Sequence, residues 1–132
     1  MFYYKKRIRY KYNLHSDVTY QTDFSIEQDF DNRFLQLTST GFLTIRKGYS
    51  WDGPSGPTID TKNFMRGSLV HDALYQLMRE NVLPQTARKR ADEILRDICI
   101  DSGMSKFRAS YVYFGVRLGG SFAAKPDLLS AP

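Results

Sequence analysis

The sequence predicts an α+β fold: a small N-terminal antiparallel β region, a Gly/Pro loop and three helices, the first two an antiparallel pair. Three observations predict it. Strand-period stretches are confined to the first half of the chain, residues 48–60 are broken by Gly48, Gly53, Pro54, Gly56 and Pro57, and apolar residues recur at helical spacing from there on. A sheet followed by helices, without alternation, is the α+β pattern.

At 132 residues, with 42% hydrophobic and 14% aromatic side chains, the chain is expected to fold as a single domain over 1–120 around a core of its own. Cys99 is the sole cysteine, which excludes an intramolecular disulfide, and one Cys with two His excludes the common structural zinc sites. The opening "MFYYKKRIRYKY" has neither the apolar block nor the cleavage site of a signal peptide, and no apolar run reaches the length of a membrane span. A cytoplasmic protein is the expectation.

The first predicted strand spans 2–12. Phe2, Tyr4, Ile8, Tyr10 and Tyr12 alternate with Lys5, Arg7, Arg9 and Lys11, so one face packs and the other is cationic. The chain's net charge of +5 resides in this segment, the remainder being neutral overall. Two readings stay open: an anionic-surface binding strand, facing lipid head groups or nucleic acid, or an edge strand whose basic residues deter edge-to-edge pairing. Further strands are expected at 18–24, 33–38 and 41–47, the last two forming a hairpin around Ser39, Thr40 and Gly41. Helices are expected at 62–80, at 85–101 after Pro84, and at 105–118 after Gly103 with Ser105 as N-cap; 121–132 is expected as a loose tail.

On the first helix, Phe64, Gly67, Leu74, Tyr75 and Met78 fall within about 60° of His71, which places this histidine in the middle of the buried stripe. Asp72 stands on the flank with Ser68 and Arg79. In the second helix, "RKRADEILRDICI", the stripe is Ala87, Ala91, Ile94, Leu95 and Ile98, and Asp92 sits at its edge. A short connection makes the two helices antiparallel, and small Ala87 and Ala91 favour close approach. Asp92 is then expected within hydrogen-bond reach of a His71 ring nitrogen or of the Tyr75 hydroxyl. The alternatives are a core histidine that only packs, and an Asp92 paired with Arg88 or Arg96. Trp51 is either an interfacial anchor or a core plug, and Asp52 either a ligand or the cap of an Asx turn.

The segment "HDALY", preceded by a Gly/Pro loop beginning at Tyr49 and followed by "ADEIL", resembles the phospholipase A2 pattern, closest in kind to the disulfide-free version of parvoviral capsid proteins. That resemblance covers 49–100. It implies that His71 is the base activating water, that Asp92 orients it, that Tyr75 buttresses Asp92, and that Asp72 holds Ca2+; Asp52 is an acid additional to that pattern, open as an extra metal ligand. The loop departs from that pattern in its glycine spacing. A second resemblance, over roughly 30–118, rests on Trp51-Asp52-Gly53-Pro54-Ser55-Gly56-Pro57, Arg66 through Tyr75, and Ala91 to Leu95. These motifs are similar to an uncharacterised family of small bacteriophage and prophage proteins, which implies a phage context, in host cytoplasm or virion, and no set activity.

The readings are therefore a phage-encoded, calcium-dependent lipid-ester hydrolase with a His71–Asp92 dyad; a non-catalytic virion or tail-associated protein, contacting other phage proteins, in which the same residues pack the helices; and, third, a nucleic-acid binder. The cationic strand yields its own prediction. Neutralising Lys5, Arg7, Arg9 and Lys11 together should weaken salt-sensitive retention on anionic vesicles or DNA without lowering the melting temperature; equal retention would leave edge protection as the role of those charges.

Overall fold

The computed structural model describes residues 12–51 and 61–124. The stretch 2–11 of the first predicted strand, with Lys5, Arg7, Arg9 and Lys11, lies outside these residues, as do Asp52 and 125–132.

Alternation decides which face of the sheet is inside. Leu35 and Leu37 of β4 (Leu35–Leu37) and Leu43 and Ile45 of β5 (Phe42–Ile45) have no exposed surface, while Gln36 and Thr44 between them are only half-buried. The antiparallel register sets Leu37 opposite Leu43 and Leu35 opposite Ile45, so all four share one face. The hairpin joining them turns at Gly41, whose N–H bonds the Thr38 carbonyl at 2.9 Å. Gly41 has a φ of +94°, the left-handed region that favours glycine. β2 (Val18–Gln21) pairs with the outer side of β5, and β3 (Phe30–Asp31) with β4, giving the antiparallel order β2-β5-β4-β3. A separate two-stranded ribbon joins β1 (Tyr12–Asn13) to β6 (Ser50–Trp51). β3 and β6 are two-residue strands, too short for a period to reveal, and β6 falls in the stretch expected as irregular loop.

Three helices follow: α1 (Thr61–Arg79), α2 (Arg88–Asp101) after a 3-10 turn at Gln85–Ala87, and α3 (Lys106–Ala124). α1 ends where Asn81 adopts a left-handed φ of 63° and the Val82 N–H reaches back to the Leu77 carbonyl at 2.8 Å. Gly103 (φ +107°) ends α2 in the same way, with Met104 N–H on the Cys99 carbonyl at 3.0 Å. Ser105 caps α3, its Oγ accepting the Arg108 N–H at 3.2 Å. α3 runs past the expected end at 118 to Ala124 and so enters the expected tail. The glycines near its C-terminal end are tolerated there rather than helix-ending.

α1 packs between the sheet and α2. Val70, Ala73, Leu74, Leu77 and Met78 join the sheet leucines, Ile94 and Ile98 in one buried cluster. Trp51 is buried against Tyr12, ring centroids 5.6 Å apart, and donates its Nε1–H to Ser68 Oγ at 3.1 Å, so it is a core plug. Tyr49 donates its hydroxyl to Gln76 Oε1 at 3.1 Å. These two bonds fix the end of the β region against the flank of α1. A smaller cluster of Phe64, Leu95, Cys99, Met104 and Ala109 seats α3 on the helix pair. No helix among the described residues is long and apolar enough to cross a membrane.

Ala91 and Ala87 are buried as expected, and Gly67 of α1 is a further point of close approach to α2. A Cβ there would meet Leu95 Cδ1 at 2.9 Å, Cys99 Sγ at 3.0 Å and the Leu95 carbonyl at 3.3 Å. Gly67→Val should therefore lower the unfolding free energy, read from urea denaturation, by about 2 kcal/mol or more. Gly115→Ala, where a Cβ meets nothing within 4 Å, should raise it by about 0.5–1 kcal/mol.

Candidate active site

His71 and Tyr75 lie one turn apart on α1, so their side chains stack, with ring centroids at 4.2 Å. Across from them α2 runs antiparallel and delivers Asp92. Asp92 Oδ1 lies 2.7 Å from His71 Nε2 and accepts the Tyr75 hydroxyl at 2.6 Å. The expected contact is present in both of its forms at once. Where the sequence sets Asp92 at the edge of a stripe, the structure buries it completely, because α3 covers that edge. From α3, Arg117 Nη1 donates to Asp92 Oδ2 at 3.0 Å, and Arg88 Nη1, one turn before Asp92 on α2, stands 3.8 Å from the same oxygen. Arg88 also reaches the Arg117 carbonyl at 3.5 Å. Arg96, the other expected partner of Asp92, lies instead over the Tyr113 ring, 4.9 Å from its centroid.

The electrostatics follow from this arrangement. Burial alone pushes the Asp92 carboxyl up, but the hydrogen bonds from His71 and Tyr75, the adjacent imidazole and the Arg117 guanidinium outweigh it. The carboxyl is held below the ordinary aspartate range and is ionised at neutral pH. Burial first, and then the Asp92 carboxylate, push the Tyr75 hydroxyl well above its usual value, so it serves as a donor and not as a phenolate. An ionised acceptor at 2.7 Å calls for a proton on His71 Nε2, and in the neutral imidazole that tautomer carries its lone pair on Nδ1. Among the described residues Nδ1 has no hydrogen-bond partner, and 12% of the His71 side chain remains open to solvent. Burial pushes the Cys99 thiol up to about 11, so it is no nucleophile at neutral pH.

Residues 24–116 match the model of a family described as Protein of unknown function (DUF1353). The chain belongs to that family. No curated protein and no solved structure matches the chain. The family match contains His71, Asp72, Tyr75, Arg88 and Asp92 and ends one residue before Arg117.

Asp72 is half-buried on the flank of α1 and turned toward the β region, where its charge, after burial, adds to the upward push on the Tyr49 hydroxyl. Among the described residues no three His, Cys, Asp or Glu side chains gather to hold a metal ion, and Asp52 is outside them. Asp72 offers a hard oxygen donor, but calcium takes about six to eight oxygens, so the remainder would have to come from elsewhere. Arg117 is the site residue that sequence reasoning missed. No spacing rule links it to Asp92, since only the docking of α3 brings the two together.

Because the folded Asp92 carboxyl sits below its unfolded value, its contribution to stability is complete above the unfolded aspartate range and is lost as pH falls through the folded value. Asp92→Asn should cost about 3–5 kcal/mol near neutral pH, since it leaves buried donors without their counter-charge. Its stability should also fall less steeply than the wild type's on acidification, read from denaturation curves across that pH range.

Proposed function

We propose that the chain is a small phage-encoded hydrolase of carboxylic esters, lipid esters first, in which His71 is the general base. One observation carries the reading: the wholly buried Asp92 lies 2.7 Å from His71 Nε2, an arrangement in which the neutral imidazole keeps its Nε2–H on the carboxylate and has Nδ1 for a proton. Nδ1 then takes a proton from water as the water oxygen bonds to the ester carbonyl carbon. The same proton passes to the departing alkoxide as the carbon–oxygen bond breaks. Asp92 and Tyr75 are positioning residues in this scheme. Calcium held by Asp72, with Asp52 and loop carbonyls completing its ligands, would polarise the carbonyl. The phage context rests on the likeness of three separated motifs to small phage and prophage proteins, and implies action in host cytoplasm or virion.

A second reading is favoured by Arg117 and Arg88. With donors converging on one carboxylate from all three helices, the network is also suited to fixing helix packing in a non-catalytic virion or tail-associated protein. The two separate by experiment. Under the hydrolase reading, ester hydrolysis in mixed anionic vesicles needs both calcium and His71, and His71→Gln loses at least about a hundredfold in kcat. Calcium should also raise the melting temperature with the logarithm of its concentration, and Asp72→Asn should abolish that shift. A wild-type chain without hydrolysis and with an unmoved melting temperature at millimolar calcium, in which His71→Ala costs only stability, would establish the packing role instead.

A further inference from the structure

α3 has two apolar faces, and among the described residues only one is covered. Met104, just before the helix, and Ala109, Val112 and Val116 on it face the helix pair. On the opposite side Phe107, Tyr111, Phe114 and Leu118, at i, i+4, i+7 and i+11, form one continuous stripe. They are 83%, 72%, 62% and 88% exposed, respectively. At the usual size of such side chains this is roughly 600 Å2 of apolar surface, the upper end of the largest patch found on soluble monomers.

The charges decide between occupants. α3 carries Lys106, Arg108 and Arg117 and no acidic residue over its whole length. Lys106 and Arg108 are exposed and stand about 100° to either side of Phe107, at the margins of the stripe. A second copy of the chain would bring the same basic margins against each other with no carboxylate on either helix to pair them. The patch also falls short of the roughly 800 Å2 per partner of a standard interface. An apolar face bordered by basic residues is instead the pattern of a helix lying in a lipid interface, where the rings enter the head-group boundary and the cations meet anionic head groups.

We infer that the Phe107-Tyr111-Phe114-Leu118 face of α3 docks this protein flat on an anionic phospholipid surface. The inference does not rest on the hydrolase reading, because docking is scored without turnover. The full chain is sedimented with vesicles of phosphatidylcholine alone and of phosphatidylcholine mixed with phosphatidylglycerol. Binding to the mixed vesicles is expected, with a loss of about tenfold or more in Phe107→Ser/Leu118→Ser and of about fivefold in Lys106→Gln. Because these side chains are exposed, the melting temperatures of both variants should match the wild type's. A wild-type chain that stays in the supernatant overturns the inference, whether or not it binds DNA. So does a Phe107→Ser/Leu118→Ser variant that sediments like the wild type while a chain neutralised at Lys5, Arg7, Arg9 and Lys11 does not. A concentration-dependent dimer that the serine pair abolishes, in a chain that ignores vesicles, would assign the face to a second copy.

Discussion

The carboxylate of Asp92 is the constraint on which the helical half of this protein depends. Taking an ion out of water costs several kcal/mol, and only near-complete pairing offsets that. Here each oxygen has its own set of partners: His71 and Tyr75 on Oδ1, Arg117 and the more distant Arg88 on Oδ2. Those partners come from all three helices, so a shift of any one of them leaves a buried charge or a buried donor without its complement. Apolar packing in α1, α2 and α3 allows many small slides; the Asp92 network admits few. It specifies the register of the bundle, while burial of Leu74, Ile94 and Ile98 supplies the greater share of the driving force.

The β region holds the other side of α1. Its four leucine and isoleucine side chains press on Val70, Ala73 and Leu77, and the hydrogen bonds of Trp51 to Ser68 and Tyr49 to Gln76 pin the sheet's end to the helix. Ser68 and Gln76 lie on either side of His71 in the sequence. The imidazole is therefore carried by a helix segment clamped from the sheet, stacked on Tyr75 and bonded to Asp92, which leaves its ring few ways to turn. The proposed role as a general base asks for such fixed aim, since proton transfer depends on orientation.

What was legible in the sequence follows from this division. Strand-type stretches and the turn between them placed the β4–β5 hairpin, and periodicity of 3.6 placed His71 and Tyr75 together on α1 with Asp92 within reach from α2, because those relations are set by spacing along one or two adjacent elements. The two-residue strands β3 and β6 were not legible, since they exist only through pairing with partners. Nor was the depth of Asp92: a helical wheel sees the edge of a stripe, and only a third helix laid over that edge makes it interior. α3 itself shows apolar residues at helical spacing on two opposite sides, and the pattern alone cannot say which side faces inward. In the structure Ala109, Val112 and Val116 pack with Phe64, Leu95 and Cys99, and the larger Phe107 and Phe114 stay exposed.

The seat of α3 bears on the site. α3 rests on a cluster smaller than the one joining α1 to the sheet, and the Arg117 bond to Asp92 is a charge-assisted contact that supplements it. Opening free energies within a domain vary with the apolar contacts each element buries. Any displacement of α3 removes a guanidinium from Oδ2 while His71 and Tyr75 remain on Oδ1, since both of those belong to the better-anchored α1. The Asp92 carboxylate is thus held on one oxygen by α1 and on the other by Arg117 of α3, with Arg88 of α2 nearby. Through Arg117 the seating of α3 bears directly on the charge that Asp92 presents to His71.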